Sequence, residues 1–242
     1  MSQLDLALEA DISQKHLSFL ESGRSAPSRD MVLRLAERLS VPLRERNFML
    51  LSAGYAPSFP ERSLDDPALK TAREVVDLIL KGHEPYPALA IDRHWNLVAA
   101  NAAIAPLLAS VTEMSLLHPP INVLRLSLHP GGLAPSIANL GEWKAHLLER
   151  IRDQIAMTGD PVLIRLQNEL SGYPAPALHA EDGRDYAGLA VPLRLRSPAG
   201  MLSLLSCTTV FGTPIDVTLS ELALETFFPA DADTAQILRA AM

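Results

Sequence analysis

The side chains with which this chain could do chemistry are one cysteine, seven histidines and a scatter of serines and carboxylates, and their spacing offers little for catalysis. Cys207 is the single cysteine, which excludes an internal disulfide and any multi-cysteine metal site. It stands in a strand-like run of small residues, where a small buried hydrophobe is the expected role. His16, His83, His94, His118, His129, His146 and His179 include no closely spaced pair suited to a metal or a haem. Serine, histidine and aspartate all occur, but no nucleophile elbow, phosphate loop or HExxH pattern joins them. Glu221 is accounted for by helix capping and Asp182-Gly183-Arg184-Asp185 by a solvated turn. No catalytic residue, metal ligand or cofactor is assigned, and an enzyme is not expected.

Composition narrows the remaining classes. Of the 242 residues 48% are hydrophobic but only 5% aromatic, so the core is built of Leu, Val, Ile and Ala, with little stacking surface for a flat cofactor. No apolar run reaches the roughly 18 residues that span a bilayer. Nothing resembles a secretory leader, and a reducing cytoplasm is the expected compartment. The net charge of −7 is unevenly placed. Residues 1–56 balance seven Lys/Arg against seven Asp/Glu, while the remainder holds 14 basic and 21 acidic groups. Non-specific coating of nucleic acid by the acidic part is therefore excluded, and any grip on phosphate belongs to the front of the chain, where local charge density decides.

The elements that must position these groups fall into two domains, 1–56 and 65–242, with a linker at 57–64. Ala56-Pro57-Ser58-Phe59-Pro60 breaks helix twice. Asp65-Asp66-Pro67 opens a helix whose apolar positions Leu69, Ala72, Val75, Val76, Ile79 and Leu80 recur every three to four residues, ending near Gly82. Ala88–Ile91 and Leu97–Ala100 flank a polar turn and read as a β-hairpin. Asn101 then reads as the N-cap of a helix over Ala102–Leu108. Leu140, Trp143, Leu147, Ile151 and Ile155 form one helical stripe, and a helix over Pro161–Leu170 follows Gly159-Asp160. Leu189, Val191, Leu193 and Leu195 alternate with Ala190, Pro192, Arg194 and Arg196, as in a half-buried strand, and Met201–Phe211 reads as a second, long one. Thr218-Leu219-Ser220-Glu221 has the form of a capping box opening a helix to about Phe228. A last helix covers roughly Asp233–Ala241. The rear domain is thus α+β.

Residues Ser2 to Gly23 resemble helices two and three of the XRE (phage-repressor-like) helix-turn-helix family. Leu6 and the small Ala7 face inward, Ile12 plugs the corner, Ser13 caps the second helix, Leu17 and Leu20 anchor it, and Gly23 ends it. Arg24-Ser25-Ala26-Pro27-Ser28, Met31–Leu39, Val41-Pro42 and Asn47–Gly54 resemble the family's fourth and fifth helices. The resemblance implies double-stranded DNA as partner. It places Gln14, Lys15 and Phe19 toward base edges, with Gln able to pair with adenine and Lys with guanine. Gln3, Ser13, Ser22 and Arg24 would reach phosphates. Two departures stand out. Asp11 occupies the turn position where the family usually has glycine. The family also has about a dozen residues before Gln3, forming a first helix that supplies a cation for the glutamate matching Glu21. A missing first helix, a start lying upstream of Met1 and an unpartnered Glu21 are the expectations.

Ala90–Asn101 and Ser203–Thr218 resemble the MmyB-like ligand-binding domain, a PAS-like fold with an antiparallel sheet, over about residues 65–240. That resemblance implies a sensor with a pocket between sheet and helices. The residues suggest an aliphatic ligand with a small polar head, a fatty acid for example, lined by Leu124, Leu147, Ile151, Leu204, Ser206, Thr208 and Val210. Trp95 reads as a turn-covering aromatic. Three functions follow in order: a ligand-responsive regulator binding DNA as a homodimer; a dimerising interaction module with a vestigial DNA-binding unit; and a carrier or hydrolase of acyl chains.

Overall fold

The computed structural model describes residues 2–177 and 191–240. They fall into two compact units, one of Met1–Asp66 with Gly212–Ser220, the other of Pro67–Phe211 with Glu221–Met242.

The first unit is helical: α1 (Gln3–Glu9), α2 (Gln14–Glu21), α3 (Arg29–Arg38) and α4 (Leu43–Ser52). Local chemistry sets their starts. The hydroxyls of Ser2, Ser13 and Ser28 each accept from an amide in the first turn of α1, α2 and α3, satisfying a donor that the helix leaves orphaned. Ala7, Ala10, Leu17, Val32, Ala36 and Leu50 are buried between the helices, whereas Leu4 and Leu8 of α1 are 51% and 71% exposed. The stretch 57–64 is tied to α4. The carboxamide of Asn47 accepts from the amides of Ser58 and Phe59 and donates to the Phe59 carbonyl, and Arg44 grips Glu61 at 2.5 Å. Residues 216–218 join this unit. Buried Asp216 accepts from Arg62 at 2.9 Å, Thr218 Oγ1 donates to the Arg62 carbonyl, and the Val217 amide donates to Pro60.

The second unit opens with a turn of 3₁₀ helix, Pro67–Leu69, and α5 (Lys70–Gly82). Its sheet contains β1 (Ala88–Ile91), β2 (Leu97–Ala100), β3 (Leu193–Ser197), β4 (Gly200–Val210) and β5 (Ala223–Pro229), in the order β2-β1-β5-β4-β3, every neighbour antiparallel. Between β2 and β3 run α6 (Val123–Leu128), α7 (Leu140–Thr158) and α8 (Pro161–Ser171); α9 (Val217–Ser220) precedes β5 and α10 (Ala232–Ala240) ends the chain. Leu124, Trp143, Leu147, Ile151, Leu163, Leu166 and Leu170 from the helices meet Ile91, Leu193, Leu195, Leu202 and Leu204 from the sheet in one core.

Three local readings are corrected. The capping signal Thr218–Glu221 does not start a helix to Phe228: the chain makes the single turn α9 and enters β5, the central strand. The Glu221 carboxylate faces Arg93 at 3.8 Å instead of capping. Pairing on both sides of β5 outweighs a local capping preference. Asn101 does stand at the N-cap position, but of a 3₁₀ stretch, Ala102–Ser110, rather than of an α-helix, and its side chain makes no capping bond. It is buried, accepts from the Ala88 amide and donates to the carbonyls of Leu80 and Tyr86, and the 3₁₀ stretch that follows contains Pro106. Cys207 is exposed on β4 rather than buried. Leu189 and Ala190, and the turn Asp182–Asp185, lie outside the described residues.

Candidate functional sites

In the first unit the corner between α1 and α2 determines what α2 can present. Asp11 holds the left-handed conformation, φ 53°, that the turn requires and that aspartate tolerates better than most side chains. The Ile12 amide then closes onto the Ala7 carbonyl at 2.9 Å. Ser13 Oγ accepts the His16 amide at 3.1 Å, and Leu17 is 2% exposed. With Leu17 fixed inward, Gln14 and Lys15 stand exposed on the first turn. Phe19 is half-buried, and the cations of Lys15 and Arg24 lie 5.6 and 5.8 Å from its ring centre. Two expectations change. The Glu21 carboxylate has a partner, because Gln3 Nε2 donates to it, so the Gln3 amide is engaged there. The Ser22 hydroxyl donates to the Ser18 carbonyl at 2.7 Å, leaving its oxygen only as an acceptor. Ser13, Ser22 and Arg24 are exposed.

In the second unit a half-open cavity of about 110 Å³ lies between sheet and helices. Its floor is Leu89 and Leu97 of the hairpin with Leu204 and Phe227, and its roof is Leu124, Trp143 and Leu147 with Ile104 and Leu107 from the 3₁₀ stretch. Of the expected lining, Leu124, Leu147, Leu204 and Ser206 are on the wall; Ile151, Thr208 and Val210 are not. The side chains of 204, 206, 208 and 210 share one face of β4, but the strand runs out past the helices, so Val210 is 58% exposed. Ile151 is fully buried in the core away from the opening.

Residues that the sequence reading left out of the pocket complete the wall, among them Trp95, which it read only as covering the turn. Trp95, at φ 66° in the hairpin turn and 7% exposed, faces the cavity and donates its indole N–H to Gln154 at 3.0 Å. Arg150, one turn beyond Leu147, spans Trp95 (4.7 Å to the ring) and Glu225 of β5 (2.5 Å). Glu225 is 4% exposed, and Thr208 completes the group: its hydroxyl donates to Glu225 at 2.8 Å and accepts from Arg150 at 3.0 Å. The stripe on α7 could have pointed to Arg150; no local signal marks Glu225 as its partner. Ser127 accepts from the Trp143 indole at 3.0 Å. Burial, and then the charge of Arg150, hold the His146 imidazole below its usual titration range. No cluster of ligands suited to a metal ion occurs among the described residues, and none of their helices is long and apolar enough to cross a membrane.

A second polar cluster is structural. Arg125 forks Glu169 at 2.8 and 2.7 Å, and Tyr173 donates to the same carboxylate at 2.6 Å. The Arg125 hydrogen bond holds Glu169 below the usual carboxylate range, while burial, reinforced by Glu169, pushes the Tyr173 phenol up to about 12. A depressed carboxylate contributes stability above its unfolded value near 4.5 and loses it as pH falls through the folded value. Glu169→Gln is therefore expected to lower the urea midpoint at neutral pH, with the gap to wild type closing below pH 4.5. A gap that stays constant on acidification would exclude this origin.

Two family models match the chain. The ligand-binding domain of MmyB-like transcription regulators matches residues 72–241, and a helix-turn-helix model matches residues 1–46. No curated protein matches it.

Proposed function

For a chain that belongs to the MmyB-like transcription regulators by its ligand-binding domain, as this one does, we propose a sensor that reads a specific DNA sequence through α2 and releases or tightens on it when a small aliphatic molecule fills the cavity. That the chain is a ligand-responsive transcription regulator follows from the two domains together. The observation that carries the finer reading is the cavity: among the described residues it is apolar on nearly every side, with Arg150, Glu225, Ser127 and Ser206 as its few charged or hydroxyl side chains. A chain with a small polar head, the fatty-acid class of molecule, suits it. The sheet order β2-β1-β5-β4-β3 supports a PAS-like description of the domain.

On the DNA side, Gln14 and Lys15 meet base edges, with Phe19 beside them for apolar contact. Ser13, Ser22 and Arg24 hold phosphates, and Gln3 contributes mainly by positioning α2 through Glu21. A homodimer would match two half-sites about one helical turn apart. Connectivity supports communication between the two functions. β4 and β5 both contribute to the cavity wall, and the chain joining them, 212–220, belongs to the helix-turn-helix unit. Ligand acts by binding the DNA-competent and incompetent arrangements unequally.

Fluorescence anisotropy with fragments from around the protein's own gene tests this, with and without an aliphatic ligand. The expected result is sequence-specific, salt-sensitive binding whose affinity shifts about tenfold with ligand. Leu107→Trp, which fills the cavity from the 3₁₀ stretch, is expected to keep DNA binding and abolish the shift. Affinity that is the same for specific and random fragments would refute the proposal.

A further inference from the structure

The chain passes between the two units three times, at 66–67, 211–212 and 220–221. Side chains beside these crossings are tied to one another within the first unit. The Asp216 carboxylate, on a residue 1% exposed, accepts from Arg62 at 2.9 Å and from the Thr218 amide at 2.9 Å. Thr218 Oγ1 donates to the Arg62 carbonyl at 2.6 Å, and the Val217 amide donates to the Pro60 carbonyl at 2.9 Å. Val217 is itself fully buried, in the turn α9 that packs beside α4. From residues 57–64 the bonds go on to α4, through Asn47 to Ser58 and Phe59 and through Arg44 to Glu61. At the last crossing Glu221 resumes the second unit facing Arg93 at 3.8 Å. Gln154 donates to the Arg93 carbonyl at 2.7 Å and accepts from the indole of Trp95 on the cavity wall.

We propose that Arg62, Asp216 and Thr218 are positioning residues, a latch that carries ligand occupancy to the DNA-binding helices; this rests on the ligand-sensing function proposed above. None of the three lines the cavity. β4 and β5 supply Leu204, Ser206, Glu225 and Phe227 to its wall, so a ligand that displaces the wall displaces the two ends of the segment joining those strands. A loose surface loop would absorb that displacement in its own backbone torsions. Residues 216–218 do not, because parting from Arg62 strands a buried carboxylate, and an unpaired buried charge is costly. The displacement is delivered instead to residues 57–64, and by Asn47 and Arg44 to α4. Trp95, Gln154 and Arg93 give the wall a second route, which reaches the same segment at Glu221. The latch thus makes one equilibrium of two, and ligand and DNA affinities are linked through it.

Asp216→Asn keeps the shape and an acceptor for the Thr218 amide but removes the charge that holds Arg62. Thr218→Val keeps the volume and removes the bond to the Arg62 carbonyl. Each full-length variant is compared with wild type by anisotropy, on a DNA fragment that wild type binds specifically, with and without saturating octanoate; calorimetry gives the octanoate affinity. DNA affinity is expected to shift about tenfold with octanoate in wild type and less than about twofold in Asp216→Asn, with Thr218→Val between them. The affinities of Asp216→Asn for octanoate alone and for DNA alone should each stay within about threefold of wild type, since the latch acts on their linkage and not on either site. Octanoate is also expected to change hydrogen exchange in α4 of wild type, and to leave α4 unaffected in Asp216→Asn. A folded Asp216→Asn that retains the full shift overturns the latch and leaves the sensor reading standing. Loss of the shift together with either separate affinity also overturns it, because the role is then merely structural. If Asp216→Asn proves unfolded by circular dichroism, Thr218→Val decides: a reduced shift supports the latch and a full one overturns it. Wild type that does not respond to octanoate overturns the sensor reading itself, and the latch with it.

Discussion

Changing Gln14 and Lys15 together to alanine is expected to weaken operator binding by about two orders of magnitude or more, the largest effect on DNA binding from any pair of side chains in the first unit. Both are exposed on the first turn of α2, whose orientation is fixed by the Ser13 cap and by buried Leu17. Removing them costs only the exposed contact of Lys15 with the Phe19 ring, so the thermal midpoint should move little. Each bidentate base contact is worth about 1–3 kcal/mol of discrimination, so two lost contacts amount to about 2–6 kcal/mol. Lys15→Ala alone should also lower the salt slope by about one if it meets a phosphate, and leave the slope nearer wild type if it reads a base. Anisotropy across a salt series separates the two. Unchanged affinity in the double variant would remove α2 from the interface.

The largest loss of stability is expected from Arg150→Met. The methionine retains the contact over Trp95 but leaves Glu225 buried at 4% exposure with only the Thr208 hydroxyl. Breaking one side of a buried ion pair costs about 3–5 kcal/mol, and the 26% exposure of the Arg150 side chain puts this case at the lower end, about 3 kcal/mol. Adding Glu225→Gln removes the stranded charge and keeps an acceptor for Thr208, so the double variant should return to within about 1–2 kcal/mol of wild type. Urea denaturation of the four proteins completes the cycle. A single variant that loses less than about 1 kcal/mol, or a double variant no more stable than it, would show that the pair is not coupled as the geometry indicates.

What could be read from residues in order is whatever local chemistry decides. Ser13 capping α2, Asp11 tolerating the left-handed turn, Leu17 facing inward and Gly23 ending the helix lie within about a dozen positions of one another. Each is a short-range preference, so the helix-turn-helix and the outward position of Gln14 and Lys15 were legible. The same holds for the β1–β2 hairpin and for the stripe of α7. The readings that failed depended on partners far away in sequence. Thr218–Glu221 carries an honest local signal for helix, yet β5 becomes a strand because β1 and β4 offer it hydrogen bonds on both edges.

Composition and periodicity by themselves pointed to a balanced helical front and an acidic α+β rear, and to an aliphatic wall around any pocket, since those properties are sums over residues or repeats along one element; that 212–220 belongs with the front unit was not among them. Only the tertiary structure decided where that wall closes and what charge it bears. Arg150 and Glu225 are 75 positions apart, and neither alone says whether a partner awaits it. Packing brings them within 2.5 Å, and electrostatic neutrality at that distance is a property of the fold that no stretch of sequence contains.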